Sequence, residues 1–188
     1  PLKRIMVPLE EIILMNLSEG KLGEDNSALL GAMMITKIQL AAMSRVYQNE
    51  EQRRDFYLYV DEFQNFATSS FVKILSEARK YRLDLTLANQ YIGQIDEEVQ
   101  DAIFGNAGSI VSFGVGATDA RPLAREFGLK YKEEELVALG NYQIVLKLSI
   151  DNHTSPPFSA TTLPLPRAHN QNREKVIRSS RERYAKKL

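Results

Sequence analysis

The sequence predicts an α/β layered fold: a mostly parallel sheet of about five strands with flanking helices. Three observations predict it. Short apolar segments rich in aromatic and β-branched residues recur, as in Phe56 to Val60 and Leu83 to Ala88. Longer segments between them carry apolar residues at helical spacing, as in Phe71, Ile74, Leu75 and Ala78. Glycines or polar runs separate the two kinds. Strands alternating with helices imply parallel pairing through helical crossovers.

The elements follow in order. Ile12-Ile13-Leu14-Met15 reads as a buried strand running into the loop of Ser18, Gly20 and Gly23. Asp25, Asn26 and Ser27 offer helix N-cap chemistry. From Ala28 to Val46 apolar residues fall on nearly all faces, the mark of a buried helix. Gln48 to Arg54 is a polar surface loop. Phe56 to Val60 is the second strand, and the helix around Phe71 to Ala78 leads to a third at Leu83 to Ala88. Ile95 to Phe104 is helical, closed by Gly105-Asn106. Ser109 to Val115 is the fourth strand. Ala117 to Phe127 is a helix stopped by Gly128, and Glu133 to Leu139 a short one stopped by Gly140. Gln143 to Ile150 is the fifth strand, and Ser155 to Pro166 is extended. Two regions result: residues 1–166 as an α/β domain portion, and residues 167–188 as a basic helical or disordered tail.

Composition narrows the function. The chain has 188 residues, enough for one domain with its own core. No uninterrupted apolar run reaches the roughly 18–20 residues that cross a bilayer, and no signal-peptide pattern opens the chain. There is no cysteine, hence no disulfide or thiolate site. His153 and His169 are too few for a multi-histidine metal site. A cytoplasmic protein is expected. Net charge is zero, which argues against a basic footprint over the whole surface. From Arg167 onward, however, Arg173, Lys175, Arg178, Arg181, Arg183, Lys186 and Lys187 face only Glu174 and Glu182. Two readings stand: a solvated helix, or contact with nucleic acid or an acidic partner.

Asp61-Glu62 directly follows an apolar strand, the form of a Walker B motif. Burying Phe56 to Val60 would fix the strand end. Asp61 can then hold a water ligand of Mg²⁺, and Glu62 can orient the attacking water. The plain alternative is a strand exit with two solvated acids. Gln90 follows the next apolar strand; in a parallel sheet it lies at the same edge as Asp61, where an amide can sense a γ-phosphate or simply cap a turn. Arg79 ends the intervening helix, at the opposite edge. There it can serve a neighbouring subunit as an arginine finger, or only complement the helix dipole. The phosphate loop Gly-x-x-x-x-Gly-Lys-Ser/Thr is absent; Gly20-Lys21-Leu22 lacks the hydroxyl and the first glycine. With Pro1 as first residue, these features suggest a fragment carrying a hydrolytic half-site without its phosphate cradle.

Together, Tyr57-Leu58-Tyr59-Val60-Asp61-Glu62-Phe63, Leu75-Ser76-Glu77-Ala78-Arg79-Lys80-Tyr81-Arg82-Leu83 and Leu87-Ala88-Asn89-Gln90-Tyr91 resemble the conjugative coupling-protein ATPases of type IV secretion, within the HerA–FtsK class of DNA pumps. Asp101 to Asn106 and Ser109 to Phe113 resemble that family's C-terminal core, and the likeness covers roughly residues 10 to 165. It implies the C-terminal part of a RecA-like P-loop core, a hexameric ring, ATP with Mg²⁺, and DNA as the translocated partner. By carry-over, Asp61 and Glu62 match the Walker B pair, with Asp61 as the metal ligand. Gln90 matches the phosphate sensor, placed with Asp61 at the nucleotide, and Arg79 matches the arginine finger. Secretion-machinery proteins are possible partners, and a membrane only through a missing N-terminal segment. One further departure is Gly114, where similar proteins often carry arginine. The alternatives are a HerA-type helicase or translocase in DNA processing, a protein-secretion ATPase, and a non-hydrolysing interaction module.

Overall fold

A computed structural model describes residues 12–166 and 170–185, with the side chains of Ser69 and Ser70 left aside. Pro1, Arg167, His169, Lys186 and Lys187 lie outside the described residues.

Strand β1 (Phe56–Val60) and strand β2 (Leu83–Leu87) pair in parallel, in register from Phe56 opposite Leu83 to Val60 opposite Leu87. A parallel pair needs a crossover of a dozen or more residues. Helix α3 (Ser69–Glu77) and the 3₁₀ turn Ala78–Tyr81 provide it. One face of the pair, with Phe56, Leu58, Val60, Leu85 and Leu87, packs onto a core built from Phe63, Phe71, Ile74 and Val99. Helix α2 (Glu24–Met43), α3 and helix α4 (Glu97–Asn106) surround that core. Tyr57 and Tyr59 alternate onto the other face and are exposed.

The single parallel sheet of about five strands is not what forms. Among the described residues only β1 and β2 pair in parallel. Strand β3 (Ile110–Ser112), strand β4 (Gln143–Lys147) and strand β7 (Phe158–Thr161) make a separate antiparallel sheet in the order β3-β4-β7. Two helices intervene between β3 and β4: α5 (Ala117–Glu126) and α6 (Glu133–Val137). Each element reverses the chain, so one helix returns a strand parallel and two return it antiparallel. A small hairpin, strand β5 (Ser149–Ile150) with strand β6 (His153–Thr154), then turns the chain back into β7. This half has its own core of Leu123, Phe127, Leu136 and Val145.

Three further readings are corrected. Ile12 to Met15 forms no strand. The outer edge of β1 is unpaired among the described residues, and Ile12 and Leu14 stand 89% and 80% exposed. The helix begins at Glu24 behind the short α1 (Glu19–Leu22), with Gly23 at φ +80° as its cap instead of Asp25, Asn26 or Ser27. Helix α2 is also buried on one face only, through Gly31, Ile35, Ile38 and Ala42, while Leu29, Met33 and Leu40 are exposed. Gly31 is needed on the buried face: a Cβ there would stand 2.2 Å from the Phe66 ring. With its polar residues averaged in, Glu24–Tyr47 is long and apolar enough to cross a bilayer, a test that core helices also pass. The tail forms helix α7 (Arg173–Tyr184), with no buried residue.

Candidate functional site

The carboxyl ends of parallel strands are where open α/β sheets place their working groups. Here β1 delivers Asp61 and Glu62, and β2 delivers Gln90. Two backbone bonds carry the pairing past the strands: Ala88 N donates to Val60 O (2.9 Å) and Phe63 N to Ala88 O (2.9 Å). Phe63 is wholly buried, its ring 4.6 Å from that of Phe71. Glu62 is thus held between a strand end and a buried anchor. It adopts the left-handed conformation, φ 51° and ψ 44°, which a non-glycine residue takes at a cost. Its N–H donates to Asp61 Oδ1 at 3.0 Å.

That backbone turn aims the Glu62 carboxylate at two amides. Gln90 Nε2 donates to Oε1 at 2.6 Å, and Gln64 Nε2 donates to Oε2 at 2.5 Å. The separation of Glu62 and Gln90 in sequence is 28 residues, so the strand pairing alone brings them together. A carboxylate offers about four lone-pair positions. Two are used, and the others can take O–H donors. Gln64 Oε1 is a buried side-chain oxygen without a partner. Sequence reasoning passed over Gln64; its one signal was its position two residues past the acidic pair.

Arg79 is not part of this cluster. It precedes β2, at the far end of a strand pair about 16 Å long, and donates to Asn152 Oδ1 at 3.1 Å in the β5–β6 turn. The 3₁₀ turn that carries it is stapled by a buried guanidinium: Arg45 Nη1 donates to Tyr81 O (2.7 Å), Arg54 O (2.9 Å) and Arg82 O (3.2 Å). Arg53 adds a bond to Lys80 O at 2.7 Å. At Gly114, a Cβ would lie 3.0 Å from Leu139 O, so this backbone leaves no easy room for the arginine of similar proteins.

Beside Asp61 and Glu62 opens a groove of about 770 Å³ lined by Met15, Leu17, Ile35 and Tyr59, with Gln90 at its polar rim. No group of three or more His, Cys, Asp or Glu positioned to hold a metal occurs among the described residues. Mg²⁺ asks less of a protein than such a cluster. It is usually held by one or two carboxylates with waters and substrate phosphates completing the shell. Asp61, exposed at the groove, is the available ligand.

The structure thus gathers Glu62, Gln64 and Gln90 at the carboxyl ends of two parallel strands, with Asp61 next to them, in an α/β fold. The family can be stated. The model for the TraM recognition site of TraD and TraG matches residues 55–157, more than half of the chain, and the chain belongs to that family. The fold is similar to that of the plasmid coupling protein TrwB in complex with ADP and Mg²⁺, at 16% identity and a TM-score of 0.59 over 78% of this chain and 40% of that one. The genome packaging NTPase B204 from Sulfolobus turreted icosahedral virus 2, in complex with ATP-gammaS, matches at 14% identity and a TM-score of 0.51, over 70% of this chain and 62% of that one. Identities this low speak for the fold alone. The chain spans about 40% of the length of the coupling-protein structures it matches. No curated protein sequence matches it.

Proposed function

We propose that this chain supplies the hydrolytic edge of an ATP-driven motor that moves DNA in conjugative transfer. One observation carries the reading: Gln90 and Gln64 together clamp the Glu62 carboxylate at the end of β1. In this reading Glu62 accepts an O–H of the attacking water. The water oxygen bonds to the γ-phosphorus, the bond to the bridging oxygen breaks, and Glu62 takes or relays the proton. Asp61 would hold Mg²⁺, whose charge, when bound, neutralises the phosphate oxygens. Gln90 links the carboxylate to the next strand, so its bond changes when the phosphate leaves. Arg79, at the opposite end of the sheet, serves the neighbouring subunit of a hexameric ring. The phosphate loop comes from another part of the motor and packs at the groove beside Asp61. TrwB, whose fold is similar, is seen with ADP and Mg²⁺, and this supports the choice of nucleotide. The test is MgATP turnover by the purified 188-residue chain. Without a phosphate loop it should be negligible. Sustained Mg²⁺-dependent turnover by the chain alone would overturn the half-site reading.

The family description favours a second role, recognition of TraM by this same chain. Titration of the labelled chain with TraM tests it. Saturable binding is expected, and no binding at tens of micromolar would remove that role.

A further inference from the structure

The turn directly after Gln90 is gripped from both sides. Asp119, in the first turn of α5, is 5% exposed, and both of its carboxylate oxygens are used. Ile92 N donates to Oδ2 at 3.0 Å and Gly93 N to Oδ1 at 3.2 Å. From the opposite side, Gln100 of α4 donates from Nε2 to Ile92 O (3.1 Å) and Ile95 O (2.6 Å). A buried carboxylate is kept in a fold only where its acceptors are well used. These two donors belong to a 3₁₀ turn of three residues, Ile92–Gln94, too short to be rigid by itself. Ile92 also packs against the second core, that of Leu123 and Phe127. Gln90 is therefore strung between Ala88, bonded to β1 through its N–H and its carbonyl, and a turn fixed to α5, with only the exposed residues 89–91 between the anchors.

We propose that Asp119 is a positioning residue that sets Gln90 against Glu62 and ties the β1–β2 edge to the α5–α6 half. The inference rests on the functional reading above only where it speaks of turnover. Any movement of Gln90 must either pull on the Asp119 clasp or be absorbed within the few residues between. The clasp is short and its oxygens are both engaged, so the pull passes to α5. Asparagine cannot replace Asp119: it offers one acceptor oxygen and turns an NH₂ toward a backbone N–H.

The test is selective ¹⁵N-glutamine NMR of the chain, comparing wild type with Asp119→Asn. The side-chain NH₂ of Gln90 reports its bond to Glu62, and that of Gln64 serves as an internal reference. Asp119→Asn should move the Gln90 signals to the free-glutamine position and leave those of Gln64 in place. Ile92 and Gly93 amides should exchange about tenfold faster or more. Gln90 signals that stay unmoved while those two amides are released would overturn the proposal. If Asp119→Asn loses its dispersed spectrum, Gln100→Ala decides, since it loosens the same turn from the carbonyl side. A shift of the Gln90 signals supports the clasp, and an unmoved spectrum overturns it. In the complete motor, Asp119→Asn should lower kcat at unchanged KM and add nothing to Gln90→Ala. Additive losses would contradict action through Gln90. A motor without ATPase activity would sink the proposed function while leaving the NMR result to judge the clasp.

Discussion

The left-handed conformation of Glu62 makes an unusual prediction about stability. In a strand or helix interior, glycine is less stable than alanine by about 0.5–1 kcal/mol, because it loses more chain freedom on folding. At φ 51° and ψ 44° the order reverses. Alanine meets the Cβ–carbonyl clash of the left-handed region, about 1–2 kcal/mol, and glycine does not. Subtracting glycine's entropic loss, midpoint from midpoint, leaves glycine ahead by about 0.75 kcal/mol. Glu62→Gly and Glu62→Ala both lose the bonds from Gln64 and Gln90, so comparing the two variants cancels that loss. For a domain of this size about 1 kcal/mol moves Tm by ~2–4 °C. Differential scanning fluorimetry of the pair should therefore place Glu62→Gly about 1–4 °C above Glu62→Ala. Equal melting, or alanine ahead, would refute a strained Glu62. Strain held at a carboxylate with two amide donors is what a site pays for a fixed aim. Both variants should also lose whatever turnover the wild-type residue supports.

Other predictions follow from the same contacts. Arg45→Met keeps most of the volume but removes the guanidinium bonds to Arg54 O, Tyr81 O and Arg82 O, the last of which keeps its bond from Phe56 N. With two carbonyls losing their donor at about 1–3 kcal/mol each, a loss of about 2–6 kcal/mol is expected, read as a fall in the urea midpoint. Burial lowers the Arg45 pKa, but the guanidinium stays charged, so the loss should not vary between about pH 5 and pH 8. Asp84 behaves in the opposite way. Its carboxyl is pushed above the ordinary range by burial first and by Asp55 second, against the pull of Arg82. A folded state with a raised carboxyl pKa binds the proton more tightly than the unfolded chain. Its contribution is present below the unfolded pKa and lost as pH rises through the folded one. Asp84→Asn should thus gain in Tm over wild type as pH is raised through the carboxylate range, and level off above it. A constant difference across that titration would contradict the raised carboxyl of Asp84.

The sequence was legible where local physics decides structure. β1 and β2 are short apolar strands with turn residues after them, and their ends define where Asp61, Glu62 and Gln90 stand. The helices of α3 and α5 follow from 3.6-residue spacing. What failed was set by topology and by long-range geometry. Both helices between β3 and β4 were legible, and two reversals return β4 antiparallel, which the expectation of one parallel sheet did not count. Ile12 to Met15 has strand composition but no strand to pair with. Helix α2 is apolar on every side, so its pattern could not say which face would be covered. Gln64 and Asp119 were invisible for another reason. Their roles depend on what their side chains touch: Glu62 for Gln64, and the backbone of Ile92 and Gly93 for Asp119.

The central claim is that Glu62, clamped by Gln64 and Gln90, is the group that activates water for hydrolysis. The direct measurement is steady-state ATP turnover together with ATP affinity for Glu62→Gln in the complete motor carrying its phosphate loop. Glutamine keeps the length of the side chain and removes its capacity to take a proton. The account predicts a loss of turnover of about a hundredfold or more with ATP binding within a fewfold of wild type. Unchanged turnover in that variant would contradict it.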